Sequence, residues 1–231
     1  PPVVGVVVTI TSADPGRLLL STNPLVLGGP SIQINIAGGV TSIPTFYLQA
    51  LAGTGTVQIS ASAPGYATDT SVITLAPSGF VEINNNTIST TTFSTNTSLT
   101  VRPARLTPGT LAFASAQQLR PAGLGLVLPL QVAVTSSDTN PGVITTSPDS
   151  FGANVSTVTT AFDPLSAGTA TITIVPPAGF DTPSNQREIP VTVTAPNLSG
   201  VAVVQRVGGH LQDSFTPGLS QIPPAPVDLT V

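Results

Sequence analysis

The residues that could perform catalysis are few and scattered along the chain. The single histidine, His210, stands in the stretch VGGHLQD, three residues before Asp213. A Ser-His-Asp triad requires the imidazole beside an activated serine and a carboxylate, and the chain has no G-x-S-x-G motif of the kind that presents such a serine. We therefore predict that His210 is a solvent-facing turn residue and that the chain has no catalytic residue.

The carboxylates show no metal-binding pattern. The ten Asp and Glu residues are dispersed and no D-x-D-x-D loop occurs, so an EF-hand calcium site is excluded. One histidine and no cysteine are too few ligands for zinc. Asp14 and Asp138 follow strand-like stretches, where a turn-capping role is favoured over the alternative of calcium bound between modules. No metal and no cofactor are predicted, although spacing alone leaves a glycosidase-type carboxylate pair open.

A glycine pair at Gly53-Thr54-Gly55 could suggest a phosphate-binding loop. It lacks the further glycine and lysine of that motif and precedes a strand-like stretch rather than a helix. We interpret it as a tight turn, and an enzyme is not predicted.

The composition of the 231 residues excludes several functional classes. Only 7% are charged, against about a quarter in ordinary soluble domains. The chain has no lysine, and its net charge of −4 argues against binding to nucleic acid, because no basic patch can form. The low charge leaves two interpretations open: a surface of uncharged polar side chains, or a surface covered by other copies of the chain.

The ends of the chain favour a piece of a longer protein. Cysteine and methionine are absent and the chain opens PPVVGVVVTI, without the features of a signal peptide. No apolar run approaches the roughly 20 residues that span a bilayer, so membrane insertion is not expected. We expect a mature piece or a fragment of a longer chain.

Alternating apolar and polar residues predict an all-β fold. In TVQISAS (56–62), Val57, Ile59 and Ala61 alternate with polar residues, and SIQINIA, VITLAP and VTVTAP behave in the same way. The 21 glycines and 24 prolines disfavour long helices. SAPGY and PPAGF each follow a predicted strand, and their aromatic residue is expected to close one end of a sandwich core.

Three blocks of sequence occur twice and in the same order. VVVTITSADPGRLLLSTNP (6–24) matches LQVAVTSSDTNPGVITTSP (130–148), AGTGTVQISASAPGY (52–66) matches AGTATITIVPPAGF (167–180), and VITLAP (72–77) matches VTVTAP (191–196). The spacing suits a β-sandwich module of about 100 residues that is used twice.

These motifs resemble those of tandem bacterial immunoglobulin-like domains, of the kind found in invasin- and intimin-like surface proteins and in very large repeat proteins. The resemblance covers almost the whole chain. It implies immunoglobulin-like sandwiches that serve as spacers, adhesin stalks or fibre subunits.

The expected organisation has four parts. Residues 1–80 form module one, which lacks its leading strand or strands, and residues 98–198 form module two, whose first strand is expected near Ser98–Leu106. The Thr/Asn-rich residues 81–97 are expected to be a linker or an edge ribbon. Residues 199–231 form a tail that resembles the start of a further module, with strands predicted in VAVVQRV and HLQDSF.

The resulting hypothesis is a structural one. The chain is predicted to be a subunit or segment of an extracellular or cell-surface fibre, stalk or layer that assembles head-to-tail with itself by strand addition. The tail is the predicted donor, and the acceptor is Val6, Val8 and Ile10 of module one. The predicted donor residues are Val201, Val203, Val204, Leu211, Phe215, Val227, Leu229 and Val231.

Two alternatives remain open at this stage. One is an adhesin or carbohydrate-binding module with a cell-surface or glycan partner, although the chain has no tryptophan and only two tyrosines for stacking on sugars. In the other, the sequence is a piece of a continuous tandem chain, and the modules that would otherwise associate are joined by the polypeptide itself.

Overall fold

The chain folds from β-strands. The computed structural model describes residues 4–199, 207–212, 214 and 216–223, and these residues form no helix. The strands are β1 (Val6–Ser12), β2 (Leu18–Ser21), β3 (Ser31–Ile36), β4 (Tyr47–Ala50), β5 (Thr56–Ser62), β6 (Asp69–Thr74), β7 (Ser78–Glu82), β8 (Ile88–Thr91), β9 (Thr97–Leu106), β10 (Phe113–Ala116), β11 (Leu130–Ser136), β12 (Gly142–Ile144), β13 (Asp149–Phe151), β14 (Val158–Pro164), β15 (Gly168–Val175), β16 (Glu188–Thr194), β17 (Leu198–Ser199) and β18 (Gly218–Leu219).

The period-two pattern predicts these strands and their faces well. β5 covers the predicted 56–62, with Val57 buried and Gln58 exposed. Along β16 the buried residues Ile189, Val191 and Val193 alternate with exposed neighbours. Because successive side chains of a strand point to opposite faces, this alternation places one face of β5 and of β16 toward a core and the other toward water.

Module one is a two-layer unit built from β1 to β6. Its larger sheet has the order β3-β1-β5-β6, and its second layer is the two-stranded ribbon β2-β4. Leu20 of the ribbon packs with Ile10, Ile34 and Ile36 of the larger sheet, so the core lies between the two layers.

Module two is a larger sandwich built from β7 to β16. One sheet has the order β10-β9-β14-β12, with β7 also paired to β9, and the other has the order β13-β11-β15-β16-β8. One buried cluster joins the two sheets, and it includes Leu99 and Phe162 from the first sheet and Val132 and Ile172 from the second.

The two modules repeat the same strand pairings. The order β3-β1-β5-β6 in module one corresponds to β13-β11-β15-β16 in module two, and the ribbon β2-β4 corresponds to β12-β14. The sequence repeat is therefore a structural repeat from the strands β1 and β11 onward. Module two has in addition β7, β8, β9 and β10, which precede β11 in the chain.

The stretch 81–97, expected to be a linker or an edge ribbon, belongs to the sheets of module two. β7 pairs with β9 through Ser78–Glu82, and β8 lies parallel to β16 at the edge of the other sheet. Of the two alternatives, the edge ribbon describes β8, and both β7 and β8 share sheets with strands of module two that follow residue 97. This stretch is rich in Thr and Asn, so it lacks the alternation of apolar and polar residues that would identify an edge strand.

A buried carboxylate holds the loop after β7. Glu82 is 1% exposed and accepts hydrogen bonds from the backbone N–H groups of Asn84, Asn85 and Thr100. These three donors compensate the loss of water around the side chain.

A second buried carboxylate, Asp149, lacks such partners. It is 1% exposed, and neither carboxylate oxygen has a hydrogen-bond partner. Burial raises its pKa to about 6. Asp149 lies opposite Val132 on β11, whereas the equivalent residue of module one, opposite Val8 on β1, is Ile34. A carboxyl group thus occupies an apolar core position of the repeat.

The described part of the tail folds back onto the end of module two. β17 pairs with β18, and Asn197 and Ser220 are joined by two hydrogen bonds. The side chain of Thr91 on β8 also hydrogen-bonds that of Gln221.

Candidate assembly site

The candidate site is the outer edge of β4, where the ribbon of module one ends. β4 pairs with β2 through Tyr47–Ala50, and no other described strand pairs with it. Many proteins protect an edge strand with proline or charged residues, and β4 contains neither. With four residues, however, the edge is short, which is itself a form of protection.

The backbone alternation shows which groups are available at this edge. The N–H of Leu51 donates to the carbonyl oxygen of Arg17 at 2.8 Å, so Leu51 is directed toward β2. In an antiparallel ladder, alternate residues direct both backbone groups to the same side. The N–H and C=O groups of Leu48 and Ala50 therefore point away from β2, toward the open edge.

Module two fills the corresponding position with a strand. β14, the counterpart of β4, pairs with β12 on one side and with β9 on the other. β9 covers β14 from Val158 to Phe162 on the side that faces away from β12. The open edge of module one is thus the position that β9 occupies in module two.

A groove of about 610 Å³ runs along the open edge. All four residues of β4 line it, together with Leu18, Ile73 and Leu75 from the core of module one. Residues of module two, including Arg105 and Phe180, form its other wall. The groove therefore combines unpaired backbone groups with apolar core side chains.

Two core-facing side chains of module one remain partly exposed: Leu48, which lines the groove, and Val8 of β1. Leu48 is on the core face of the ribbon, opposite Leu20, yet it is 43% exposed. Val8 of β1 is half-buried, whereas its equivalent in module two, Val132, is 0% exposed. An additional strand beside β4 would cover apolar surface that module one leaves in contact with water.

The outer face of the ribbon is covered by the chain itself. The Gln49 side chain donates to the carbonyl oxygen of Val26 and accepts from the N–H of Gly28, each at 2.9 Å. Gln49 is 4% exposed. The loop between β2 and β3 thus stabilises the ribbon from outside and leaves only its edge open.

Module one has a second open edge at β6. Among the described strands, β6 pairs only with β5, whereas its counterpart β16 also pairs with β8. Val72 on β6 is 61% exposed. Both positions left open in module one are those that residues 78–106 occupy in module two.

The predicted acceptor residues do not lie at this open edge. Val6, Val8 and Ile10 lie on β1, a central strand that pairs with β3 along its length and with β5 from Thr9 onward. The open edge lies at β4 instead. Alternation identifies apolar faces, but strand order depends on pairing between residues far apart in sequence, which the pattern does not specify.

The predicted donor residues lie mostly outside the described residues. Of the eight, Leu211 is described, and it is 73% exposed. The remaining seven, Val201, Val203, Val204, Phe215, Val227, Leu229 and Val231, lie outside the described residues, as does most of the predicted strand VAVVQRV. The described residues of HLQDSF are not in a strand.

The residues considered for chemistry occupy turns. His210 is exposed in a turn with φ of 64°, as predicted. Asp14 accepts from the N–H of Gly16, and Asp138 accepts from the N–H of Asn140, which confirms their turn-capping role. Within the described ranges, no three potential ligands come together at a metal site, and no helix is long and apolar enough to cross a membrane.

The aromatic residues of the two SAPGY-type motifs behave differently. The ring of Phe180 packs at 5.0 Å, between ring centroids, from that of Phe80 on β7, so it closes one end of the core as predicted. Tyr66 is 55% exposed, contrary to the prediction. Module one has no described strand equivalent to β7, and hence no equivalent of Phe80 to receive the ring.

Comparisons with known proteins give distant structural likenesses. No protein-family model matches the chain, and no curated protein matches it. A crystal structure of domains 4 and 5 of the S-layer protein SbsC is similar at 17% identity and a TM-score of 0.36, covering 81% of this chain and 70% of that one. A structure of rSbsC(31-844) is similar at 16% identity and a TM-score of 0.34, and this chain spans 20% of its length. Domains 5-6 of SbsC give 14% identity and a TM-score of 0.29, covering 81% of this chain and 80% of that one. Likenesses at these TM-scores assign neither a family nor a function.

Proposed function

We propose that this chain is a structural segment of an extracellular or cell-surface assembly, such as a fibre, stalk or surface layer, whose copies join head-to-tail by strand addition. The observation that carries the proposal is the open edge of β4 beside a groove that exposes core side chains of module one, at the position where module two holds β9. An edge of unpaired N–H and C=O groups is a template for pairing with another chain.

The proposed organisation is one incomplete module, one complete module and a tail that begins a further module. Module two supports an immunoglobulin-like assignment of the repeat. Named in chain order, β7, β9, β14 and β12 are strands A, B, E and D of one sheet, and β11, β15 and β16 are strands C, F and G of the other. These seven strands match the ABED and CFG sheets of the constant-type immunoglobulin fold, and β8, β10 and β13 are additional to them.

The composition supports a self-associating structural role. With 7% charged residues and no lysine, the chain lacks the charged surface that keeps many small domains apart in solution. The site contains backbone groups and aliphatic side chains, which suit strand pairing rather than bond-breaking chemistry. Donor and acceptor are different surfaces, so the contact is heterologous and produces an open filament unless the rotation closes a ring.

The experiment compares the full chain with a chain that lacks residues 201–231. Sedimentation velocity over a range of concentrations and negative-stain electron microscopy measure assembly, and far-UV circular dichroism establishes that both proteins keep their sheets. We expect the full chain to form concentration-dependent linear assemblies and the deletion variant to remain monomeric.

Two results would contradict the proposal. A full chain that stays monomeric at every concentration has no head-to-tail contact. Assemblies that persist unchanged after deletion of the tail form through another surface.

A further inference from the structure

We propose that β6 of one copy pairs antiparallel with β6 of a second copy about a two-fold axis at Val72, and that this contact joins neighbouring assemblies side by side. The contact uses the second open edge of module one. It therefore goes beyond the head-to-tail contact at β4 and forms independently of it.

The backbone groups of β6 show what this edge presents. The N–H of Leu75 donates to the carbonyl oxygen of Gly55 at 2.8 Å, so Leu75 is directed toward β5. In an antiparallel ladder, alternate residues direct both backbone groups to the same side. The N–H and C=O groups of Thr70, Val72 and Thr74 therefore point away from β5, to an edge where no described strand pairs.

The ladders identify the equivalent positions in module two. The repeat of β5 in β15 aligns Gln58 with Thr173. Gln58 lies opposite Val72 of β6, and Thr173 lies opposite Glu188 of β16. Val72 and Glu188 are therefore equivalent, and at these residues the ladders replace the alignment of VITLAP with VTVTAP.

Module two protects the same edge with a charge and a proline. At the equivalent of Thr74, β16 carries Pro190, which has no N–H to offer. Glu188 is exposed and forms an ion pair with Arg187, and β8 leaves both Glu188 and Pro190 uncovered. Charged residues and proline keep edge strands from pairing with other chains, and module one carries neither at the two equivalent positions.

A second copy of β6 fits this edge because its outward-directed residues read the same in both directions. A two-fold axis at Val72 places Val72 opposite the same residue of the second copy, and Thr70 opposite Thr74. Thr–Thr pairs and pairs of β-branched apolar residues are favourable across strands. Val72 is 61% exposed, so the pairing removes apolar surface from water.

The one charged residue of β6 favours the antiparallel arrangement. Asp69 begins the strand, and pairing about Val72 places it opposite Leu75 of the second copy. The two Asp69 residues are then about 20 Å apart, at about 3.4 Å per residue, which exceeds the Debye length of about 8 Å at physiological ionic strength. A parallel pair would place them side by side, where like charges are destabilising.

The size of the contact determines when it forms. β6 has six residues, and a pair of such strands buries far less than the roughly 1,200 Å² of a stable interface. Separate copies are therefore expected to pair only weakly. Copies already joined in an assembly present many such edges together, so that their contacts reinforce one another.

Cysteine cross-linking tests the register, because the chain contains no cysteine. Under mild oxidation at high protein concentration, Val72→Cys should form dimers by itself. Thr70→Cys and Thr74→Cys should form dimers when mixed and few when alone. Since a disulfide requires Cα atoms within about 7 Å, we expect yields at least about five times those of Leu165→Cys, an exposed position on module two that controls for random collision.

A charge at the two-fold axis provides a second test. Val72→Glu introduces the residue that module two has at this position, and the two substituted side chains would lie directly opposite each other and repel. Negative-stain electron microscopy of the assembled full chain should then show single filaments in place of laterally joined ones. Gln58→Glu adds the same charge on the same face of the sheet, one strand inward, and should leave the lateral contact intact; far-UV circular dichroism establishes that both variants keep their sheets.

The outcomes separate this inference from the proposed function. Register-specific dimers, in the full chain and in the chain that lacks residues 201–231, support the inference. Equal yields at positions 70, 72, 74 and 165, or Val72→Glu filaments as wide as those of the parent, overturn it and leave head-to-tail assembly standing. If the full chain forms no filaments, the proposed function fails, and the cross-links alone decide whether β6 pairs with β6.

Discussion

The buried carboxyl of Asp149 makes the stability of module two depend on pH. In the unfolded chain an aspartate has a pKa of about 3.9, whereas burial raises the pKa of Asp149 to about 6 in the folded protein. Between these values the folded state binds the proton more tightly, so the free energy of unfolding falls as the pH rises. A pKa difference of about 2 corresponds to about 3 kcal/mol.

The substitution Asp149→Asn removes this dependence. The side chain keeps its size and stays neutral at every pH, so the variant should resemble the protonated protein near pH 3.5. At each pH, the free energy of unfolding of the parent is subtracted from that of the variant. This difference should be larger at pH 7 than at pH 3.5, by up to about 3 kcal/mol. Urea unfolding followed by far-UV circular dichroism between pH 3.5 and 7.5 measures this difference.

A matched control makes the same chemical change at an exposed turn, Asp138→Asn. The reasoning would be refuted if the stability of Asp149→Asn followed that of the parent at every pH. It would also fail if the parent became more stable relative to Asp149→Asn as the pH rose, because that is the sign expected of a carboxylate stabilised in its charged form.

Three further substitutions test the packing. Glu82→Ala removes the acceptor of three backbone N–H groups and should destabilise module two by about 3 kcal/mol, with Glu82→Gln less severe; equal urea midpoints for Glu82→Ala and the parent would contradict this role. Gly79→Ala places a Cβ atom 2.7 Å from a backbone oxygen and should cost about 2 kcal/mol, whereas Gly209→Ala, with open space around it, should be neutral in the same assay. Ile59→Asp places a charge on the core face of β5 and should destabilise module one by about 3 kcal/mol or more. Gln58→Glu, on the exposed face of β5, should not. Similar melting temperatures for the two variants would mean that the inward and outward faces of β5 are reversed.

The sequence predicts the parts of this fold that depend on neighbouring residues. Alternation predicts β5 and β16 with their inward faces, and Asp14 and Asp138 cap their turns as expected. These features need only the strand period and local hydrogen bonds, which are written in adjacent residues.

The features that escaped prediction depend on distant pairing. The sequence left open whether 81–97 is a linker or an edge ribbon, and β8 is an edge strand through a parallel pairing with β16, roughly 100 residues away in sequence. The open edge of the ribbon belongs to β4 rather than to β1. Asp149 is buried at a position where the first repeat has Ile34, which no pattern of polar and apolar residues indicates. Tyr66 stays exposed because the partner that receives Phe180 comes from β7, a strand outside the repeated blocks.

Amide hydrogen exchange at β4 tests the central claim most directly. The amides of Leu48 and Ala50 point to the open edge, whereas that of Gln49 points toward β2 and serves as an internal control. Dispersed protein and assembled material are each exposed to D₂O, and the assembled material is then dissolved. NMR compares the exchange of each amide between the two samples. Strand addition predicts that the amides of Leu48 and Ala50 exchange rapidly in dispersed protein and at least about tenfold more slowly after assembly, with Gln49 protected in both states. Unchanged rapid exchange at Leu48 and Ala50 in the assembled material would contradict the account, because it would mean that the edge of β4 still faces water.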